Sequence, residues 1–162
     1  MPTLAKEMAP VQEQVEQMQR LHAATHPHCV VCGAANPRGL QVDFRPTADG
    51  GVEAHFDCVT ILEGYSHRIH GGVAAALLDG AMTNCLFAHG HVAVTVELAV
   101  RYRHPVMTGH RATVRAWICE SSHRLHRMRA ELAQDGRVLV IATAKFFEPP
   151  DGGPNLTGAN EG

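Results

Sequence analysis

The stretch His70-Gly71-Gly72, followed by Val73-Ala74-Ala75-Ala76-Leu77-Leu78-Asp79-Gly80-Ala81-Met82-Thr83-Asn84-Cys85-Leu86-Phe87-Ala88, decides the fold. It is rich in Ala and Leu and apolar on nearly every side. That pattern predicts a helix buried on most of its faces, because a helix with a wet face carries a polar stripe. Asp79 is the only acid in the run. A carboxylate is costly to bury alone, so Asp79 is expected either to be paired structurally or to be kept for chemistry. The structural alternative is a bond to a neighbouring backbone group or to Thr83. The Gly pair has a complementary property. Helix N-termini carry unpaired N–H groups and the positive end of the dipole, and residues without a Cβ let a ligand oxygen come close. One turn-and-helix unit therefore encodes an oxyanion site and a carboxylate.

Downstream, Val92, Val94, Val96, Leu98, Val100 and Tyr102 alternate with Ala93, Thr95, Glu97, Ala99, Arg101 and Arg103. This predicts a long strand with the first set on one face and the second on the other. Residues 110–120, 124–134 and 137–147 predict three more strands, with Asp135-Gly136 as a hairpin turn. Upstream, 40–45 and 52–59 alternate around Asp49-Gly50-Gly51 and predict a further hairpin. Residues 8–22 space Met8, Val11, Val15, Met18 and Leu21 by three and four, an amphipathic helix on the outside of the core. The order is helix, two strands, buried helix, four strands. It predicts an α+β domain, an antiparallel sheet wrapped around one central helix. The expected division is an N-terminal helix over 1–25, a domain over 26–147 and a disordered Pro/Gly/Asn-rich tail over 148–162.

A chain of 162 residues, 45% hydrophobic, suffices for one domain with a real core. Its net charge of −2 argues against a nucleic-acid-binding face or affinity for anionic membranes. No apolar run reaches about 18 residues without polar interruption, and Glu7, Glu13 and Glu16 stand where a signal peptide has basic and then apolar residues. A soluble cytoplasmic protein without membrane or nucleic-acid partners is the expectation. Cysteines at 29, 32, 58, 85 and 119 form no disulfide framework, which fits a reducing compartment. His22, His26, His28, Cys29 and Cys32 are donors that zinc uses, yet no second Cys or His pair follows at finger-like spacing. The segment is expected to pack as a loop without metal. His104, His110, His123 and His126 are expected at exposed strand edges and turns.

The motifs together resemble a known family. His70-Gly71-Gly72, Leu77-Leu78-Asp79 and Val94-Thr95-Val96-Glu97-Leu98 leading to His104-Pro105 are similar to those of the hotdog-fold acyl-CoA thioesterases of the phenylacetate-pathway (PaaI-like) type. Cys29-Val30-Val31-Cys32-Gly33 with Asn36-Pro37-Arg38-Gly39-Leu40 adds to the likeness, which spans residues 28–147. The resemblance implies a hotdog fold and hydrolysis of an acyl-CoA to free acid and CoA, without cofactor or metal. It implies that the Gly71 N–H binds the thioester carbonyl, that Asp79 is nucleophile or general base, that Thr95 helps hold the water and that His70 shapes the carbonyl pocket. Substrate contacts are expected from Gly72, Glu63, Tyr65 and Thr83. The loop Glu63-Gly64-Tyr65-Ser66-His67 departs from relatives that place Asn or Gln there. Arg101, Arg103, Arg124, Arg127 and Arg129 are candidates for CoA phosphates, against the simpler reading of a solvated strand face.

Helix geometry adds a constraint that needs no family. Gly71 and Asp79 are eight residues apart, about 12 Å along one axis, so one thioester cannot touch both. Two such helices running antiparallel in two subunits would bring the glycine end of one to the carboxylate of the other. A homodimer with shared sites, or a dimer of dimers, is therefore expected. Two alternatives remain at this stage: a non-catalytic acyl-CoA-binding protein, and a hotdog hydratase or dehydratase, for which His89 is poorly phased with Asp79.

Overall fold

The computed structural model describes residues 10–150. In chain order, helix α1 (Val11–Thr25) is followed by strands β1 (Arg45–Pro46) and β2 (Val52–Asp57), a 3-10 turn (Thr60–Leu62) and helix α2 (Gly71–Ala88). Strands β3 (Val94–Tyr102), β4 (Arg111–Ser122), β5 (Leu125–Gln134) and β6 (Arg137–Phe147) complete the fold. The six strands form one antiparallel sheet in the order β1-β2-β4-β5-β6-β3. The α+β architecture expected from the sequence is the one observed.

The sheet closes on α2 because its inner face buries every second residue over most of β4, β5 and β6. Ala112, Val114 and Ala116 on β4, Met128, Ala130 and Leu132 on β5, and Val140, Ala142, Ala144 and Phe146 on β6 are all buried. Register places Ala116 opposite Ala130 and Ala130 opposite Ala142. A row of methyl groups thus crosses three strands, and the lack of bulk lets the helix lie close against them. Opposite, Leu77, Leu78, Ala81, Met82 and Cys85 are fully enclosed. The helix has the length and apolarity of a membrane span, but 67% of that window is buried inside the protein. On its other side α1 packs through Met18 and Gln14, and the rings of His22 and His26 meet Phe87 edge-on at 6.5 and 5.1 Å.

Several sequence expectations are corrected. Helix α1 covers 11–25 rather than 8–22, and Met8 lies outside the described residues. Of the strand expected over 40–45 only Arg45 joins the sheet, because Leu40 and Val42 donate their N–H groups to Val30 and Val31 (2.8 and 2.9 Å) in the preceding loop. Strand β3 does not alternate throughout. A bulge between Thr95 and Glu97 interrupts its pairing with β6. His126 is fully buried rather than exposed, bonded to Ser121 Oγ at 2.8 Å and to Glu148 at 2.6 Å. Glu148 in turn is held by its N–H on the Arg124 carbonyl (2.8 Å), so the tail cannot begin there. Residues 151–162, where the rest of that expectation falls, lie outside the described residues.

Candidate active site

The start of α2 is built by His70. It is the N-cap residue, with φ −58° and ψ 134°, and its Nδ1 accepts the Gly72 N–H at 2.9 Å. Accepting at Nδ1 puts the proton of the neutral ring on Nε2. The His70 carbonyl takes the N–H groups of Val73 and Ala74 (3.0 and 3.2 Å). Gly71 N–H has no partner among the described residues. It therefore carries the free donor and the helix dipole together, the requirements of an oxyanion site. Gly72, expected at the substrate, has its donor occupied by the cap.

Gly71 is positioned from the sheet as well. Tyr102 donates its hydroxyl to the Gly71 carbonyl at 2.6 Å, and a Cβ at Gly71 would meet the tyrosine ring at 3.4 Å. Tyr65, Arg68, Gly71, Tyr102, Arg103 and His104 line part of one open cleft of about 380 Å³. Glycine at 71 leaves that cleft room beside the free N–H.

Asp79, eight residues on, does not line this cleft. Thr95 donates to its Oδ1 at 2.8 Å. Burial raises the Asp79 carboxyl above its ordinary value of 3.8, opposed by the Thr95 hydrogen bond and then by the charge of His26. The bulge explains the Thr95 contact. Thr95 pairs with Phe146, and Leu98 and Val100 pair with Ala144 and Ala142, all three partners buried beneath the helix. One extra residue, Val96, switches the parity of the strand, so Thr95 shares the helix-facing side with Leu98, Val100 and Tyr102. Strict alternation had assigned Thr95 to the opposite face with Glu97; Glu97 instead turns outward to Lys145 at 3.1 Å.

The other expected residues fall as follows. Glu63 accepts from Thr108 at 3.0 Å, and a Cβ at Gly64 would touch the His70 ring at 3.2 Å, so this loop buttresses the cap. Tyr65 is 85% exposed at the cleft. Thr83 is buried and its hydroxyl bonds the Asp79 carbonyl at 3.0 Å, turned into the helix itself. The Asp79 side chain is thus paired with Thr95 and not with Thr83. His89 caps the far end of α2 and bonds the Gly50 carbonyl at 2.7 Å. Sequence reasoning did not single out Tyr102 or His26 for the site. Tyr102 ends the apolar face of β3, a signal that could have suggested it; nothing in the spacing relates His26 to Asp79.

Sheet and helix define the hotdog class, and residues 67–141 match the family model of the thioesterase superfamily. That segment, which carries the helix with Gly71 and Asp79 and most of the sheet, is a thioesterase-superfamily segment. Among solved structures, the chain is similar to a thioesterase superfamily protein (21% identity, 87% of this chain and 84% of that one, TM-score 0.71). It is also similar to a phenylacetic acid degradation-related protein of Ralstonia eutropha (21%, 81% and 98%, TM-score 0.66). A third is a hypothetical thioesterase protein of Streptococcus pneumoniae solved with coenzyme A (20%, 65% and 86%, TM-score 0.62). At these identities the likeness is one of fold. No curated protein matches the chain.

Proposed function

We propose that the protein is an acyl-CoA thioesterase that works as a homodimer, or dimer of dimers, with each active site shared between two subunits. The observation that carries this reading is the division of labour along α2: an unpaired Gly71 N–H at its start and, about 12 Å on, a carboxylate held by Thr95. Neither group alone hydrolyses a thioester, and one protomer cannot apply both to one carbonyl. The exposed edge of the sheet supports a second copy. Strand β3 is terminal in the sheet and exposes Val96 (57%), Leu98 and Tyr102 (52%), an apolar edge that pairing with a partner would cover. The neighbour solved with coenzyme A supports the substrate class, and Arg68 and Arg103 beside Gly71 supply cations for an anionic carrier.

In the proposed reaction the thioester carbonyl oxygen takes the Gly71 N–H of one subunit as negative charge develops on it. Asp79 of the other subunit either removes a proton from water as the water attacks, or attacks directly to give a mixed anhydride that water then cleaves. In both routes the C–S bond breaks and the CoA thiolate leaves, to be protonated from solvent. Five free cysteines suit a cytoplasmic setting for this reaction. In the hydratase alternative His89 would be the histidine on α2, and its ring is committed to the Gly50 carbonyl. The test is release of free thiol from a panel of acyl-CoAs. Wild type should turn over at least one of them, and Asp79→Asn should lower kcat by at least ~10² with the fold intact. Undiminished turnover in the Asn variant would refute the role of Asp79.

A further inference from the structure

The loop between α1 and β1 holds a group of donors that the proposed hydrolysis does not use. His26, Cys29 and Cys32 each present one ligand atom within 4.8 Å of the others. Nδ1 of His26 is buried and has no hydrogen-bond partner. An unsatisfied buried ring nitrogen is costly unless something binds it. Each cysteine sulfur, by contrast, accepts one N–H group. Val31 N–H points to Cys29 Sγ at 3.4 Å, and Asn84 Nδ2 points to Cys32 Sγ at 3.4 Å while also donating to the Gly80 carbonyl at 2.8 Å. An N–H group directed at a sulfur is the kind of outer partner that orients a metal-bound thiolate and spreads its charge. The turn is tight: Gly33 N–H bonds the Cys29 carbonyl at 2.9 Å, and a Cβ at Gly33 would fall 2.7 Å from that same oxygen.

We propose that His26, Cys29 and Cys32 bind one tetrahedral soft divalent cation of the zinc type, with two thiolates, one imidazole and a fourth position for water or another donor. Zinc holds sulfur at about 2.3 Å and nitrogen at about 2.0–2.1 Å, which sets tetrahedral donors roughly 3.5–3.8 Å apart. Side-chain adjustments of about 1 Å bring the present donors to that spacing. The missing second Cys pair, which argued against metal at the level of sequence, is replaced by a histidine that the end of α1 delivers. Another cluster among the described residues, His91, His126 and Glu148, is different. Its carboxylate already bonds both rings at 2.6 Å and Ser121 takes the other His126 nitrogen, so its donors are satisfied without a cation.

The ion would pin this loop onto α2 next to Asp79. Val31 rests on Gly80, where a Cβ would come within 2.6 Å of its methyl group, and Asn84 reaches the loop one turn further along. Metal binding displaces the thiol protons and adds its free energy to folding.

The test uses the full chain, without a metal-binding tag, loaded with zinc under reducing conditions and then desalted. Elemental analysis should give one zinc per chain, and removal by a strong chelator should lower Tm. Cobalt in place of zinc should show thiolate-to-metal charge transfer and the intense d–d absorption of tetrahedral coordination. Cys29→Ser with Cys32→Ser should abolish both signals, whereas Cys119→Ser, at an exposed cysteine, should keep them. Asn84→Ala should weaken zinc affinity about 10–100-fold. If the double variant does not fold, alkylation of the wild type decides: Cys29, the more accessible of the two thiols, should be protected by zinc and become reactive on chelation. Wild type that retains no zinc after loading, or zinc that persists in a folded double variant, overturns the proposal. So does zinc that leaves Cys29 unprotected.

Discussion

Asp79 pays for its place in the core with a raised pKa, and the sign of that shift yields two predictions at the residue scale. A carboxyl whose folded pKa lies above its unfolded value favours folding most when protonated. Its contribution is fully present below about 3.8 and is lost as pH rises through the folded pKa. Asp79→Asn keeps an oxygen to accept from Thr95 and removes the ionisation. The variant should therefore melt higher than wild type at pH 7, with the difference vanishing as pH falls toward 3.8, in thermal denaturation across that range. A variant less stable than wild type at pH 7 would show that the charged form is compensated in the fold. The second prediction concerns Thr95, whose bond opposes the burial shift. Thr95→Val should move the acidic limb of the kcat/KM profile to higher pH, because loss of the bond that opposes burial raises the Asp79 pKa further. A limb that stays in place would separate Thr95 from the titration of Asp79.

At the scale of elements, α2 was legible as an unbroken apolar run and β4, β5 and β6 as period-two alternation. An all-round apolar run reads as a buried helix, and period two reads as a half-buried strand. The bulge at Val96 was not legible: a β-branched residue inside a regular strand carries no mark of being the unpaired one, yet it decides which way Thr95 points. His126 escaped for a related reason. Its position near a turn suggested exposure, while its burial depends on Glu148, 22 residues later in sequence. The segment 40–44 alternates like a strand but spends its N–H groups on the Cys29–Cys32 loop, a competition between partners that periodicity does not register. Of the candidate site, Gly71 and Asp79 stand out in the sequence itself and Thr95 through the resemblance alone; Tyr102 joins them only when sheet and helix meet. The methyl row under α2 gives the prediction proper to this scale. Ala130→Leu should destabilise the fold by about 1–3 kcal/mol, since Ala130 is buried in the row of methyl groups beneath α2 and a larger side chain there would have to push the helix away from the sheet. Chemical denaturation measures it, and an unchanged midpoint would mean that the helix stands further from the sheet than the burial of these residues indicates.

For the whole molecule, the central claim is that the Gly71 donor and the Asp79 carboxylate act on one thioester from different subunits. The fold supplies clean knock-outs of each half. Pro is accepted at the first helical position, and His70, at φ −58° and ψ 134°, already has the backbone that a following Pro requires. Gly71→Pro therefore removes the N–H without breaking the helix, and Asp79→Asn removes the carboxylate. Each homodimer should be nearly inactive. Co-refolding the two variants in equal amounts makes half of the dimers mixed, each with one intact site and one doubly damaged site, so acyl-CoA hydrolysis should return to about a quarter of wild type. Mixtures shown to be folded and heterodimeric yet still inactive would contradict the shared site.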